Sequence, residues 1–293
     1  MNKNKVYINI PAGAIAGGVE SLFQLADAIN NIGGTSIVLW DNQHPSPIPD
    51  KYKNYNINHS GEVEDVSENW IIYPEVWTEK LGTYKNMKKA IWWLSVDNNH
   101  EKFQDFSDSR ITHFYQSFYS LDYLQKKGVE KYLPLFDYIP SKYINSEYNI
   151  TEKRNIVTYN PVKGIEITNQ IKSENPNIEF VPIVNMSEEQ IINLLQISKV
   201  YIDFGHHPGR DRIPREAAIL GNCVITNNKG SAGFYNDVPI NKVYKFNDIS
   251  SIGEVINNCF NNYEITINDQ SIYRSNIKNQ KEQLYNLCKQ YFI

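Results

Sequence analysis

The chain has little that would cross-link it, anchor it or load it with metal. Only three cysteines occur in 293 residues, Cys223, Cys259 and Cys288, and no two form a Cys-x-x-Cys pair. That argues against a disulfide framework or a zinc site and makes a reducing cytoplasm the expected setting. Met1-Asn2-Lys3-Asn4-Lys5 leads into a short apolar run, not the core of a secretory signal. No run approaches the roughly 20 apolar residues needed to span a membrane. No Asp-x-Asp motif occurs, so no obligatory metal is expected, no metal ligands are assigned and no cofactor is implied. There is no excess of positive charge either: 29 Lys and Arg face 33 Asp and Glu, a net −4. Broad nucleic-acid binding needs a basic surface and is set aside, although a local basic patch remains compatible with this balance. Fixed-period repeats and low-complexity tails are absent.

What is present is ample for a folded core. Hydrophobic residues make up 41% of the chain and aromatics 13%, with 20 Tyr, and the length suits two domains. Val6 to Ile10 reads as a buried strand. The small-residue loop Pro11 to Gly18 follows it, then a helix with Leu22, Leu25, Ala26 and Ile29 on one face. Gly33-Gly34 ends that helix and Ser36 to Trp40 is the next strand. Residues 41–69 read as polar loop with a weak strand near Tyr55. Further strands are expected at Trp70 to Tyr73, Lys89 to Val96, Ile111 to Ser117 and Lys131 to Leu135, with a short helix from Ser120 to Gly128. In Lys89 to Val96, Trp92 and Trp93 alternate faces, so at least one belongs to the core.

Asp137 to Lys153 lacks periodicity and reads as a linker. A second strand–helix series follows: strand Asn155 to Tyr159, a helix to Ser173, strand Ile178 to Pro182, a helix from Ser187 to Ser198 and strand Lys199 to Phe204. Ser187-Glu188-Glu189-Gln190 is a capping-box pattern. Strand Lys242 to Phe246, a helix from Ser250 to Asn262 and a polar helix from Asp269 to Tyr291 complete the chain. Two α/β domains with parallel sheets are therefore expected, at residues 1–139 and 140–270. Residues 271–293 form a C-terminal helix packing back on the first domain. Such sheets bind ligands beyond the carboxyl ends of their strands, which makes the cleft between the domains the default site.

The densest chemistry lies between Tyr201 and Asn227. An apolar strand ends in Phe204-Gly205-His206-His207-Pro208-Gly209. Arg210, Arg212 and Arg215 follow, with a helix opening near Pro214, then Gly221 and a second apolar strand. A helix N-terminus favours anions through its free N–H groups and its dipole. Three guanidinium groups there suit a phosphate or diphosphate. Arg210 and Arg215 are favoured over Arg212, and Asp211 would pair with one of them. Glu216 is placed to accept from ribose hydroxyls; its plainer reading is an acid stabilising the helix dipole.

Three segments together resemble the GT-B glycosyltransferases, in particular the retaining enzymes that use nucleotide-sugar donors. Gly17-Gly18-Val19-Glu20 is similar to that family's N-terminal glycine loop. Lys163-Gly164, after the first strand of the second half, is similar to its phosphate-binding Lys segment. Glu216 to Ile225 resembles its Glu-Ala-x-x-x-Gly-x-Pro-Val-Ile signature. The likeness runs through nearly the whole chain in order and spacing. It departs at Pro208, where the family usually has a second Glu.

The resemblance implies a fold of two Rossmann-like domains with parallel sheets and a glycosyltransferase activity on a glycan or lipid-linked acceptor, in bacterial surface polysaccharide assembly. The partners implied are a nucleotide-sugar donor and that acceptor, without nucleic acid. The expected place is the cytoplasm, at the inner face of the membrane if the acceptor is lipid-linked, although no basic amphipathic helix marks a membrane contact. Catalytic assignments are Asp97, Arg210 and Lys163. Donor-binding assignments are Gly17, Gly18, Lys163, His207, Arg210, Arg215, Glu216 and Gly233. Asp97 directly follows a strand and could serve an acceptor hydroxyl; an Asx turn is equally consistent, and His100 is the less favoured alternative. Adjacent His206 and His207 lack Cys or His partners at metal spacing, so one is read as lining the donor pocket and the other as structural. Ser231, Gly233 and Phe234 would bring backbone near sugar or phosphate. Two other readings stay open: a nucleotide- or glycan-binding protein on a degenerate scaffold, which Pro208 keeps alive, and a nucleotide-sugar epimerase.

Overall fold

The structure is a computed structural model that describes residues 4–59, 61–99 and 102–293. It forms two compact α/β units. The first comprises residues up to Tyr138, with Pro208–Arg210 and Gln280–Ile293; the second comprises Ile139–His207 and Asp211–Asn279.

In the first unit β1 (Lys5–Ile10), α1 (Gly17–Asn31), β2 (Thr35–Trp40), β3 (Trp70–Pro74), β4 (Lys88–Trp93), β5 (Ile111–Tyr115), α2 (Phe118–Lys126) and β6 (Tyr132–Pro134) follow in order. The strands form one parallel sheet, β2-β1-β3-β4-β5-β6. Both faces are covered, which is why these strands are nearly continuous apolar runs. Val6, Ile8, Ile72, Trp92 and Phe114 pack on one face with residues of α1 and with Leu284, Cys288 and Phe292. Tyr7, Ile71, Tyr73, Ile91 and Trp93 pack on the other. Both tryptophans of β4 are therefore core. Each indole N–H is satisfied, Trp92 by the Leu135 carbonyl at 2.9 Å and Trp93 by His113 Nδ1 at 3.0 Å.

The second unit contains α3 (Ser141–Ile144), β7 (Arg154–Tyr159), α4 (Ile165–Glu174), β8 (Glu179–Pro182), α5 (Glu188–Ile197), β9 (Ser198–Asp203), α6 (Arg212–Ile219), β10 (Cys223–Asn227), β11 (Lys245–Phe246), α7 (Ile252–Asn261), α8 (Tyr263–Asp269) and the start of α9 (Ser271–Phe292). Its sheet is parallel in the order β11-β10-β9-β7-β8. The architecture is the expected pair of Rossmann-like sheets. Among the described residues, no helix is long and apolar enough to cross a membrane.

Several expected elements differ in extent. The weak strand near Tyr55 is absent: a single 3-10 turn forms at Asp50–Tyr52, and the Tyr55 hydroxyl donates to Glu20 Oε1 at 2.9 Å. The strand expected at Lys89 to Val96 stops at Trp93, because the Leu94 N–H leaves the ladder for the Glu75 carboxylate at 3.0 Å. The helix expected from Ser120 begins at Phe118, closed by a capping box between Ser117 and Ser120. The strand expected from Lys242 shrinks to β11, since the Asn241 side chain accepts the Val243 N–H and caps a 3-10 turn. The helix expected from Ser250 to Asn262 forms as α7, and a further short helix, α8, follows it where none was expected. The segment read as a linker contributes Ile139 and Tyr143 to the second unit's core.

Candidate functional site

β7, β9 and β10 are neighbours in the second sheet and run parallel, so the loops that leave their carboxyl ends stand side by side. The β7 loop carries Lys163 and Gly164, the β9 loop carries His206 and His207, and the β10 loop leads to a 3-10 turn at Ser231–Gly233. The first two loops touch at backbone level. Gly164 has φ +64° and a Cβ there would collide with the Phe204 carbonyl; a Cβ on Gly205 would strike the Lys163 side chain. The Asn227 amide ties in the third loop by donating to the Gly205 carbonyl at 2.7 Å, and the Ser231 N–H donates to the His207 carbonyl at 2.8 Å.

A chain of charged groups runs through this junction. Asp203, buried at the end of β9, accepts the Tyr201 hydroxyl at 2.8 Å and the Gly205 N–H at 3.0 Å. The His207 ring lies between two carboxylates, with Nε2 3.6 Å from Asp203 and Nδ1 3.1 Å from Asp211. The Lys163 ammonium reaches the same Asp211 oxygen at 2.9 Å. Burial pulls the imidazole pKa down, but the Asp211 contact and the charges of Asp203 and Asp211 outweigh it, so His207 titrates above its ordinary value. Burial likewise raises Asp203. For Asp211 the burial effect is overcome by His207 and Lys163, which hold it below the usual carboxylate range. One ligand atom each from Asp203, His207 and Asp211 lie within 4.8 Å of one another. A metal ion there would have to displace the ammonium from Asp211; the chain already supplies the compensating positive charge.

Asp211 occupies the N-cap position of α6 yet makes no side-chain cap bond. Its carboxylate is turned to Lys163 and His207 instead. The N-cap of α4 is Gly164, which has no side chain to offer. By contrast α2 and α5 are closed by capping boxes. Neither of the two helices that begin at this loop cluster is closed by an N-cap side chain, and a helix N-terminus favours anions. One turn into α6, Glu216 is 5% exposed and accepts from Arg212 at 3.1 Å. Arg215 is 1% exposed and its Nε donates to the Asp211 carbonyl at 3.2 Å, bracing the loop from inside. The α6 helix opens at Arg212, two residues before the expected start at Pro214.

The second unit therefore gathers Lys163, His207, Arg215, Glu216 and Gly233, with Gly233 exposed and His207 buried beside the exposed His206. Gly17, Gly18, Asp97 and Arg210 belong to the first unit. Gly17 and Gly18 open α1, whose N-cap Ala16 again has no capping side chain. Asp97 is exposed on a 3-10 turn after β4 and accepts from the Tyr119 hydroxyl at 3.1 Å. The Arg210 N–H donates to Gln116 Oε1 at 3.0 Å, and its guanidinium lies 5.2 Å over the Phe136 ring. His100 lies outside the described residues.

Sequence reasoning did not single out Asp203, Glu75 or Gln116, and it paired Asp211 with an arginine rather than with Lys163 and His207. The only signal for Asp203 was its position as the last residue before Phe204-Gly205. Glu75 is wholly buried and its carboxyl is pushed up to about 7 by that burial, against the N–H groups of Leu94 and Ser95.

No family model matches the chain, and no curated protein shows significant sequence similarity to it. Solved structures do share its fold. A glycosyltransferase from Rickettsia africae ESF-5 is 15% identical, with 99% of each chain covered and a TM-score of 0.68. Anabaena HepE, solved with UDP and glucose, is 11% identical over 98% of each chain, with a TM-score of 0.68. Sucrose-phosphate synthase from Thermosynechococcus elongatus is 11% identical over 98% of each chain, with a TM-score of 0.69. The fold is that of the GT-B glycosyltransferases.

Proposed function

We propose that this chain is a glycosyltransferase that takes a sugar from a nucleoside-diphosphate donor bound to the second unit. The observation that carries the reading is the junction of β7, β9 and β10, where Lys163 stands at the N-terminus of α6 and Glu216 lies one turn further in. Lys163 and the first-turn N–H groups would meet the diphosphate. As the bond between the anomeric carbon and the diphosphate oxygen breaks, its electron pair passes to that oxygen. Fixed positive charge there stabilises the developing anion and accelerates the step. Glu216 would accept from the ribose hydroxyls, sharing its carboxylate with Arg212. The turn at Ser231–Gly233 would bring backbone near the sugar.

Asp97, Arg210 and the Gly17–Gly18 turn are the acceptor-side and catalytic candidates of the first unit. The acceptor hydroxyl oxygen would bond to the anomeric carbon and pass its proton to a carboxylate, for which Asp97 is the candidate. UDP is the first nucleotide to try, because HepE was solved with it. Retention of configuration and an acceptor that is a glycan or lipid-linked glycan of bacterial surface polysaccharide rest on the family resemblance alone, and independence of metal rests on the lack of an Asp-x-Asp motif. A cytoplasmic setting follows from the cysteine usage.

The test is a thermal-shift screen with UDP, GDP, ADP, CMP and dTDP and their sugars, with and without EDTA, on the wild type and on Lys163→Ala and Glu216→Ala. A ligand that binds the native state raises the melting temperature by mass action. One nucleotide family should raise it, equally with EDTA, and less in both variants. No shift with any nucleotide would overturn the reading. A shift without turnover of the sugar nucleotide on any glycan would favour the binding-protein reading that Pro208 keeps open, and conversion of the donor with no acceptor present would favour the epimerase.

A further inference from the structure

Lys163 is fixed at both ends. Its Cβ is pressed against Gly205, where no side chain fits, and its ammonium sits on Asp211 at 2.9 Å. Asp211 is in turn held by His207 at 3.1 Å, and the far nitrogen of that ring faces Asp203 at 3.6 Å. Asp203 is anchored by Tyr201 and Gly205, on the strand and loop that set the site. Two carboxyl groups, one imidazole and one ammonium make a row from the sheet interior to the half-exposed lysine. His207 and Asp203 are each about 1% exposed at the side chain, so neither can meet a ligand directly.

We infer that Asp203 and His207 are positioning residues, which aim Lys163 at the terminal phosphate of a nucleoside diphosphate by holding the Asp211 carboxylate in one orientation. This rests on the donor-binding role proposed above. The sequence reading had offered His207 as a donor contact; its burial assigns it a part behind Lys163. A charge held before the ligand arrives does not have to be ordered during binding, and its contribution depends on the groups behind it. Removing either residue would leave Lys163 present but unaimed.

The experiment measures dissociation constants of UDP, GDP and ADP, each against its monophosphate, by calorimetry. The proteins are the wild type, His207→Gln, Asp203→Asn, Lys163→Ala and the double variants with Lys163→Ala. His207→Gln and Asp203→Asn should each weaken the favoured diphosphate about tenfold and its monophosphate less than twofold. In the Lys163→Ala background they should add less than a further twofold, because the group they aim is gone. Equal losses for diphosphate and monophosphate, or full additivity with Lys163→Ala, would overturn the inference and reduce both residues to fold stability. Asp203→Asn keeps an oxygen for the Gly205 N–H, so it serves where His207→Gln does not fold. A wild type that binds no diphosphate would defeat the functional reading itself. A wild type that binds one, with additive losses, would defeat only the positioning role.

Discussion

Gly164 lies so close to the Phe204 carbonyl that no Cβ fits between them, and its φ is +64°. This contact sets the β7 loop against the β9 loop and thereby places Lys163. Gly164→Ala should destabilise the protein by about 2 kcal/mol or more, from the left-handed backbone and the overpacking together. Urea unfolding followed by circular dichroism reads it. Unfolding midpoints equal to wild type would show that the two loops can separate at no cost.

Glu216 should give the site a preference for ribose. Wild-type protein is expected to bind UDP about tenfold more tightly than its 2′,3′-dideoxy analogue, a hydrogen-bond contribution near 1.4 kcal/mol. Glu216→Gln should lose most of that difference while keeping the analogue's affinity. If the variant still discriminates tenfold, Glu216 serves only as the partner of Arg212.

Glu75 makes stability depend on pH. Its carboxyl titrates near 7 in the native state against an ordinary 4.5, because burial disfavours the charge. Between those values the native state binds the proton more tightly than the unfolded chain does. Its contribution is therefore complete below pH 4.5 and is lost as pH rises to about 7. Glu75→Gln removes this dependence, so relative to wild type it should gain about 2 to 3 kcal/mol between pH 5 and pH 8. Denaturant titrations at the two pH values decide it. A constant difference would mean that Glu75 stays charged throughout.

Lys153 is a buried structural donor, whose pKa burial pulls down to about 7. Its ammonium donates to the carbonyls of Leu195 at 2.8 Å, Ser198 at 2.9 Å and Leu220 at 2.6 Å, near the C-terminal ends of α5 and α6. Lys153→Met leaves those carbonyls without this donor and should cost about 3 kcal/mol. A melting temperature within a degree of wild type would refute that role.

Much of the site was legible because its signals are local. The apolar runs of β7, β9 and β10, the glycines after them and the arginine-rich opening of α6 follow one another within short stretches. The partnership of Lys163 with Asp211 was not legible. The two residues are 48 positions apart, and nothing in either neighbourhood indicates the other. They meet because β7 and β9 lie side by side in parallel register, with Tyr159 opposite Ile202, which brings the loops that follow to the same edge. The same holds for Glu75 and Leu94, on loops after the adjacent strands β3 and β4.

The order of residues alone determined the alternation of strand and helix, the parallel sheets and the strand ends at which polar loops gather, since periodicity and glycine punctuation act over a few residues. Only the tertiary structure decided which charges meet. Asp211 turns from its own helix to Lys163 and His207, Arg215 is buried behind the loop and Arg212 takes Glu216. Those pairings depend on strand order and on the space left between loops, which are properties of the packed sheet and not of any short segment of chain.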